Sequence, residues 1–343
     1  MSRVKVVPVC GLAALNLLMV GSPGGSVAEA PAAVKYVCAG VWGWRGTEDG
    51  DFINPGGIAV ASDGTVYVVD RSNWRVQYFT PTGSFLGKWG SKGERAGEFI
   101  SPRGIAVSPQ GDVYVTDVET NRVQCFTSAG SYVREWHFES DEPGQYWQGE
   151  EYDAPIDIAA GPNGRIYILG DMSDQVHEYT PVGSLVCEWG DMSYWGPGVE
   201  GWSYGAPGPA GNFWNANGIA VAPNGDVYVA DTGYHRVQYF SATGSFKGMW
   251  GEEGNEKGEF EYPRSLAVSR DGDLYVADRG NARVQLFSAS GSFITQWGVE
   301  GYGWGEFAGL SDVAIGPDGT VYATEKDGDR VQFFTRTSHE NDQ

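Results

Sequence analysis

Asp157 and Asp312 stand at equivalent places in a recurring pattern where other copies carry Gly57, Gly104, Gly218 or Ser265. Arg103 and Arg264 each stand one position earlier in their own copies. Two carboxylates and two guanidiniums gathered at one spot could hold a polar ligand, and the carboxylate oxygens suit a hard cation such as calcium. The same four charges could instead neutralise one another as an internal plug. Both readings require elements that bring positions 103, 157, 264 and 312 to a common mouth.

A second candidate lies in two irregular stretches, HFESDEPGQYWQGEEYDA at 137–154 and DMSYWGPGVEGWSYGAPGPAGNFW at 191–214. Tyr146, Trp147, Trp195, Trp202 and Tyr204 offer flat apolar faces that stack on a sugar ring or a cation. Glu150, Glu151 and Asp191 would supply charge beside them. A cationic peptide, a protein surface or a glycan suits such a patch. The alternative is that the indoles fill wedges between packed elements and the Gly/Pro-rich insertions are passive.

The elements that position these residues repeat along the chain. Units open at Pro55, Pro102, Pro155, Ala216, Pro263 and Leu310, spaced by 47, 53, 61, 47 and 47 residues. Such periods signal a solenoid or a propeller. Each unit has a short apolar segment such as GIAV, then a turn such as Asp63-Gly64 or Asn224-Gly225, a strong hairpin signal. VYVVD-type and RVQYF-type segments follow, then a Gly-Ser turn and an FLGKW-type segment. Four short antiparallel strands per unit make a propeller blade, and blades stacked radially cover each other's faces.

The sixth unit ends at Arg330-Val331-Gln332-Phe333-Phe334 without its last strand, while VKYVCAGVWG at 34–43 is a last strand with no unit before it. The expected fold is therefore all-β: a six-bladed β-propeller closed by pairing of the N-terminal strand with the C-terminal repeat. Trp42, Trp89, Trp136, Trp189, Trp250 and Trp297 mark the six fourth strands. Linkers from fourth to first strands share one face, the upper, with the turns between second and third strands. The insertions at 137–154 and 191–214 belong there. So do the remaining indoles, Trp44, Trp74, Trp147, Trp195, Trp202, Trp214 and Trp304.

The pattern P-x-G-I-A-V … D/N-G-x-V-Y-V-x-D … R-V-Q-x-F … G-S-F … W-G resembles NHL repeats over essentially the whole chain after the leader. The resemblance implies a six-bladed propeller and leaves function open, because the family includes tripartite-motif ubiquitin ligases, RNA-binding regulators, a peptide α-amidating lyase and bacterial sensor domains. No Cys/His-rich ligase segment is present. The lyase resemblance implies a His-ligated zinc, but His137, His177, His235 and His339 hold non-equivalent repeat positions and do not assemble into the three-His set such a site uses. No G-x-S-x-G, P-loop or zincin motif appears. Asp70/Arg75, Asp117/Arg122, Asp231/Arg236 and Asp278/Arg283 recur five apart, with Glu325/Arg330 keeping the charges. In the third unit both become Gly170 and Gln175. These are expected to brace a part-buried turn, where one charge left alone is costly, with each exposed pair worth about 0–1 kcal/mol; anion binding by the arginines is the alternative.

The 343 residues carry a net charge of −21, which argues against a nucleic-acid surface. Arg3 and Lys5 precede an apolar run, and small residues follow, so 1–30 reads as a secretory signal peptide, with a membrane anchor as the alternative. The propeller is expected over 34–336, with 337–343 as a flexible tail. Cys38 and Cys125 sit where other units have Phe, Tyr or Leu and are expected to be buried small hydrophobes. The expectation for function is a secreted, periplasmic or cell-surface binding or scaffold module for a protein, peptide or glycan. The alternative is a metal-dependent lyase or hydrolase at the channel mouth, using calcium or zinc.

Overall fold

The computed structural model describes residues 34–138, 153–171, 173–190 and 208–337. They form six four-stranded antiparallel sheets. Blade 1 is Pro55–Val60, Val66–Asp70, Arg75–Phe79 and Phe85–Trp89 from the centre outward. Blades 2 to 5 repeat this order, with inner strands Pro102–Val107, Pro155–Ala160, Gly218–Val221 and Pro263–Val268. Each inner strand contacts the inner strands of both neighbouring blades, and the inner strand of blade 6, Leu310–Ile315, contacts that of blade 1. The ring is therefore shut. Among the described residues no helix is long and apolar enough to cross a membrane.

Second strands such as Val66–Asp70 and Val113–Asp117 are buried along their whole length, because each lies inside a blade and between blades. The apolar residues gather into six clusters, one for each junction between neighbouring blades. One joins Tyr67 and Val69 of blade 1 to Ile105 and Phe126 of blade 2. Another joins Ala314 and Tyr322 of blade 6 to Ile58 and Phe79 of blade 1. Each blade thus completes its neighbour's core, the arrangement expected of radial repeats.

Blade 6 is built from both ends of the described chain. Lys35–Trp42 pairs antiparallel with Arg330–Thr337, from Lys35 opposite Thr337 to Trp42 opposite Val331, with an irregularity between Cys38 and Gly40. In five blades the second-strand tyrosine donates to a carbonyl in the outer turn of the next blade. Tyr67 reaches Ser128, Tyr114 Pro181, Tyr167 Ala242, Tyr228 Ala289 and Tyr322 Pro81. Blade 6 has no covalent outer turn to receive Tyr275 of blade 5. Tyr36 takes its place: its hydroxyl lies 2.7 Å from that of Tyr275, and its ring stacks on Trp297 at 4.3 Å. Elsewhere the fourth-strand Trp packs on an outer-turn glycine of the next blade, as Trp42 does on Gly83. Cys125 is fully buried as expected; Cys38 is only half-buried, and its thiol faces Gln332 at 3.2 Å.

Candidate functional site

The upper face is held by a clamp that uses the Asp/Arg pairs. In blade 1 the Arg75 guanidinium donates to Asp70 at 2.7 Å and to the carbonyls of Thr47, Glu48 and Asp51 in the linker from blade 6. Gln77 donates to Asp51 and Asp70 and accepts from the Gly50 amide. Asp70 also receives the Ile53 amide, so one carboxylate ties strand, turn and linker together. Arg122, Arg236, Arg283 and Arg330, with Gln124, Gln238, Gln285 and Gln332, repeat the linker contacts. The pairs are buried, not exposed: Asp70, Asp117, Asp231, Asp278 and Glu325 have no exposed side-chain surface. The expected 0–1 kcal/mol therefore does not apply, since stripping one partner leaves a charge buried and unpaired. Blade 3 lacks the whole set, having Gly170, Gln175 and His177 at the three positions. His177 is buried against Phe138.

Inner strands enter from this face, so their first residues ring the channel mouth. A small cavity of about 30 Å³ there is lined by residues including Gly57, Arg71, Arg103, Asp157, Arg264 and Asp312. The two aspartates are held by backbone amides of the next blade. Asp157 accepts the Ile219 amide at 2.9 Å, and Asp312 accepts the Ile58 amide at 2.7 Å and the Val313 amide and Ser265 hydroxyl on its other oxygen. Glycine stands at this position in blades 1, 2 and 4 because the neighbouring strand is too close; a Cβ on Gly218 would lie 2.5 Å from the Arg264 carbonyl oxygen. Burial pushes both carboxyls above the usual carboxylate range, and Asp312 raises Asp157 further.

Among the described residues no ion pair joins Arg103 or Arg264 to either aspartate. Arg103 donates to the Asn217 side chain at 2.6 Å. Burial, followed by the charges of Arg103, Arg279 and Arg71, pushes Arg264 down to about 9. The four charges act on one another across the cavity, Arg103 favouring the charged form of Asp157 and Arg264 that of Asp312, without direct ion pairs. Nor do the residues fit a hard cation, which needs six to eight oxygens: the carboxylates are occupied by N–H and O–H donors, and guanidiniums surround them.

A second feature of the upper face is aromatic. Trp44 and Tyr302 are 72% exposed, Tyr262 52% and Trp304 50%. They lie on three successive linkers, into blades 1, 5 and 6. Exposed Glu48, Asp49, Glu252, Glu253, Glu256, Glu261 and Glu300 share those linkers, against only Arg45 and Lys257. Trp74 and Trp214 behave differently. Lys92 sits 4.9 Å over Trp74, and Trp214 packs edge-on against Tyr234 at 5.5 Å.

The NHL repeat family matches residues 52–79, 99–126, 213–240 and 260–287, which run from the linker phenylalanine to the end of the third strand in blades 1, 2, 4 and 5. The chain is an NHL-repeat β-propeller. A stretch of 53 residues, 16% of the chain, is 42% identical to Protein brain tumor of Drosophila melanogaster and spans 5% of that protein's length. Solved structures similar to the NHL propeller include virginiamycin B lyase from Staphylococcus aureus, at 14% identity and a TM-score of 0.54 over 85% of this chain and 82% of the other. A gluconolactonase from Xanthomonas campestris is 14% identical with a TM-score of 0.58 over 83% and 87%. A protein of unknown function from Bacteroides thetaiotaomicron is 13% identical with a TM-score of 0.65 over 89% and 76%. At these identities the likeness concerns the fold.

The NHL propeller brings Arg103, Asp157, Arg264 and Asp312 to one cavity. Tyr146, Trp147, Glu150, Glu151, Asp191, Trp195, Trp202 and Tyr204 lie outside the described residues. Among the described residues no three His, Cys, Asp or Glu converge as metal ligands. His137 ends an outer strand of blade 2, His177 is inside blade 3 and His235 is in a turn of blade 4, so these residues do not fit the zinc that the lyase resemblance implies. Two features escaped the sequence reading. The clamp glutamine was visible in every R-V-Q. Arg71 and Arg279 each follow the clamp aspartate of their unit, a position held by Lys326 in blade 6.

Proposed function

We propose that this NHL propeller is a binding module whose upper face takes a basic protein or peptide segment. The arc of Trp44, Tyr262, Tyr302 and Trp304 amid exposed carboxylates carries this reading. Indole and phenol rings hold apolar and cationic side chains at little entropic cost, and surrounding carboxylates draw in Lys and Arg. The clamps keep the linkers rigid, so little ordering is needed on binding. The test is a peptide library and a glycan array probed with the wild type and a Trp44→Ser/Trp304→Ser variant. Basic peptides are expected to bind, at least tenfold more weakly to the variant and more weakly at higher salt. Glycan binding alone, or no effect of the variant, would refute the reading.

We also propose that the module acts outside the cytoplasm, on the strength of the Arg3/Lys5 and apolar leader. Fractionation of the producing cells, with N-terminal sequencing of the product, tests this. Uncleaved protein confined to the cytoplasm would refute it.

A further inference from the structure

We propose that the channel mouth binds a compact oxyanion, a carboxylate or a phosphate-type group, between the guanidiniums of Arg71, Arg103 and Arg264. The inference goes beyond the aromatic arc and does not rest on it. Three arginines from blades 1, 2 and 5 line one small cavity, and Arg279 is close enough to act on two of them. Among the described residues the guanidiniums of Arg71, Arg264 and Arg279 have no hydrogen-bond or ion-pair partner, and that of Arg103 has only Asn217. The clamp arginines show the contrast, since each is bonded to a carboxylate or to linker carbonyls. A guanidinium carries five donors in a planar fork matched to carboxylate and phosphate oxygens, so three such forks lining one cavity, none of them bonded to a carboxylate, make an anion seat.

The two carboxylates at the mouth attract Arg103 and Arg264 without bonding to them. Their oxygens accept amides and a hydroxyl from the ring of inner strands, and burial moves them toward the neutral form. Asp171 is the remaining acidic group acting on Arg103, and it is exposed. Like charges held together without partners cost stability, and here they are held together in a chain whose net charge is −21. Backbone geometry makes room for them. A Cβ on Gly56 would come within 2.7 Å of the Arg71 side chain, which therefore lies across that glycine. The cavity, about 30 Å³, holds a few water-sized groups, so it suits the head group of a ligand and not a whole large one.

The test uses the full chain, titrated calorimetrically at low ionic strength with sulfate, inorganic phosphate, acetate and succinate, with calcium chloride as the opposite-sign probe. One anion per chain is expected to bind. Sulfate and phosphate binding without the carboxylates points to a phosphate-type ligand, and the reverse preference to a carboxylate. Arg264→Gln is expected to weaken binding at least tenfold while raising the melting temperature of the anion-free protein, because it removes an unpartnered charge. Arg264→Lys should restore part of the affinity. Arg270→Gln, in an exposed turn, should change neither. A structural role for Arg264 would instead lower the anion-free melting temperature, and that outcome overturns the proposal. So does the absence of saturable binding by all four anions, or stoichiometric calcium binding lost in Asp157→Asn. Should Arg264→Gln not fold, Arg71→Gln reads the same two quantities. Loss of anion binding with peptide binding intact would separate this site from the aromatic arc.

Discussion

Asp278 shows how much one side chain organises at the residue scale. It receives Arg283, Gln285 and Asn281 side chains and the Glu261 amide, while Arg283 goes on to three linker carbonyls. Arg283→Ala is expected to cost about 3–5 kcal/mol, because Asp278 is left buried without its ion-pair partner. Asp278→Ala should cost a comparable amount, and the double variant clearly less than the sum, since both belong to one network. Breaking the exposed Lys88–Asp49 pair should cost about 0–1 kcal/mol. Urea unfolding of the set checks this; additive single effects, or an Arg283→Ala cost near that of the surface pair, would refute the clamp. The five-residue spacing of these pairs was legible because it repeats. Their burial was not, because the carbonyls that enclose each arginine come from a linker 24 to 28 residues earlier. The sign of the channel mouth was hidden for a related reason: Arg71 reaches it from a turn, and the charge of Arg279 acts on it from another, beside the inner-strand residues that drew attention first.

At the scale of elements the decisive piece is the strand Lys35–Trp42. Periodicity alone revealed it, since a sixth unit lacked a fourth strand and the missing one lay at the other end. What periodicity could not reveal is how a blade without its outer turn satisfies its neighbour. Tyr36 does so twice, by hydrogen bonding to Tyr275 and by stacking on Trp297. Tyr36→Phe should cost about 0.5–1.5 kcal/mol for the lost hydrogen bond. Tyr36→Ala should cost about 3 kcal/mol or more, adding lost ring packing. Deleting 34–42 should expose the edge of Arg330–Thr337 and abolish the single cooperative transition. Melting curves and amide exchange in blades 5 and 6 measure these effects; a deletion variant that melts like the intact chain would end the closure argument. Trp44 and Trp304 were placed on the upper face with the other indoles, but the candidate site was drawn to the long insertions, because these two sit in linkers of ordinary length.

For the whole molecule, the buried acids decide how stability follows pH. Asp157, Asp312 and Asp231 all have carboxyls raised by burial: Asp157 with help from Asp312, and Asp231 to about 6 despite Arg236. A group raised on folding binds more protons in the native state than in the unfolded one across the interval between its two values. Stability therefore falls as pH rises through that interval. The interval runs from the ordinary carboxylate range to about 7 for Asp157. The net charge of −21 acts in the same direction, since deprotonation adds repulsion to an already acidic body. The protein should thus melt a few degrees higher at pH 5.5 than at pH 8. Asp157→Asn keeps an acceptor for the Ile219 amide and should flatten the profile. Sulfate, whose charge does not change over this range, should bind more tightly at pH 5.5 to the wild type as Asp157 and Asp312 lose charge beside Arg71, Arg103, Arg264 and Arg279. The expected profile is the reverse of that of a protein whose acids are stabilised by exposed ion pairs. A melting temperature that falls on acidification from pH 8 to 5.5 would show that the buried carboxylates keep their charge.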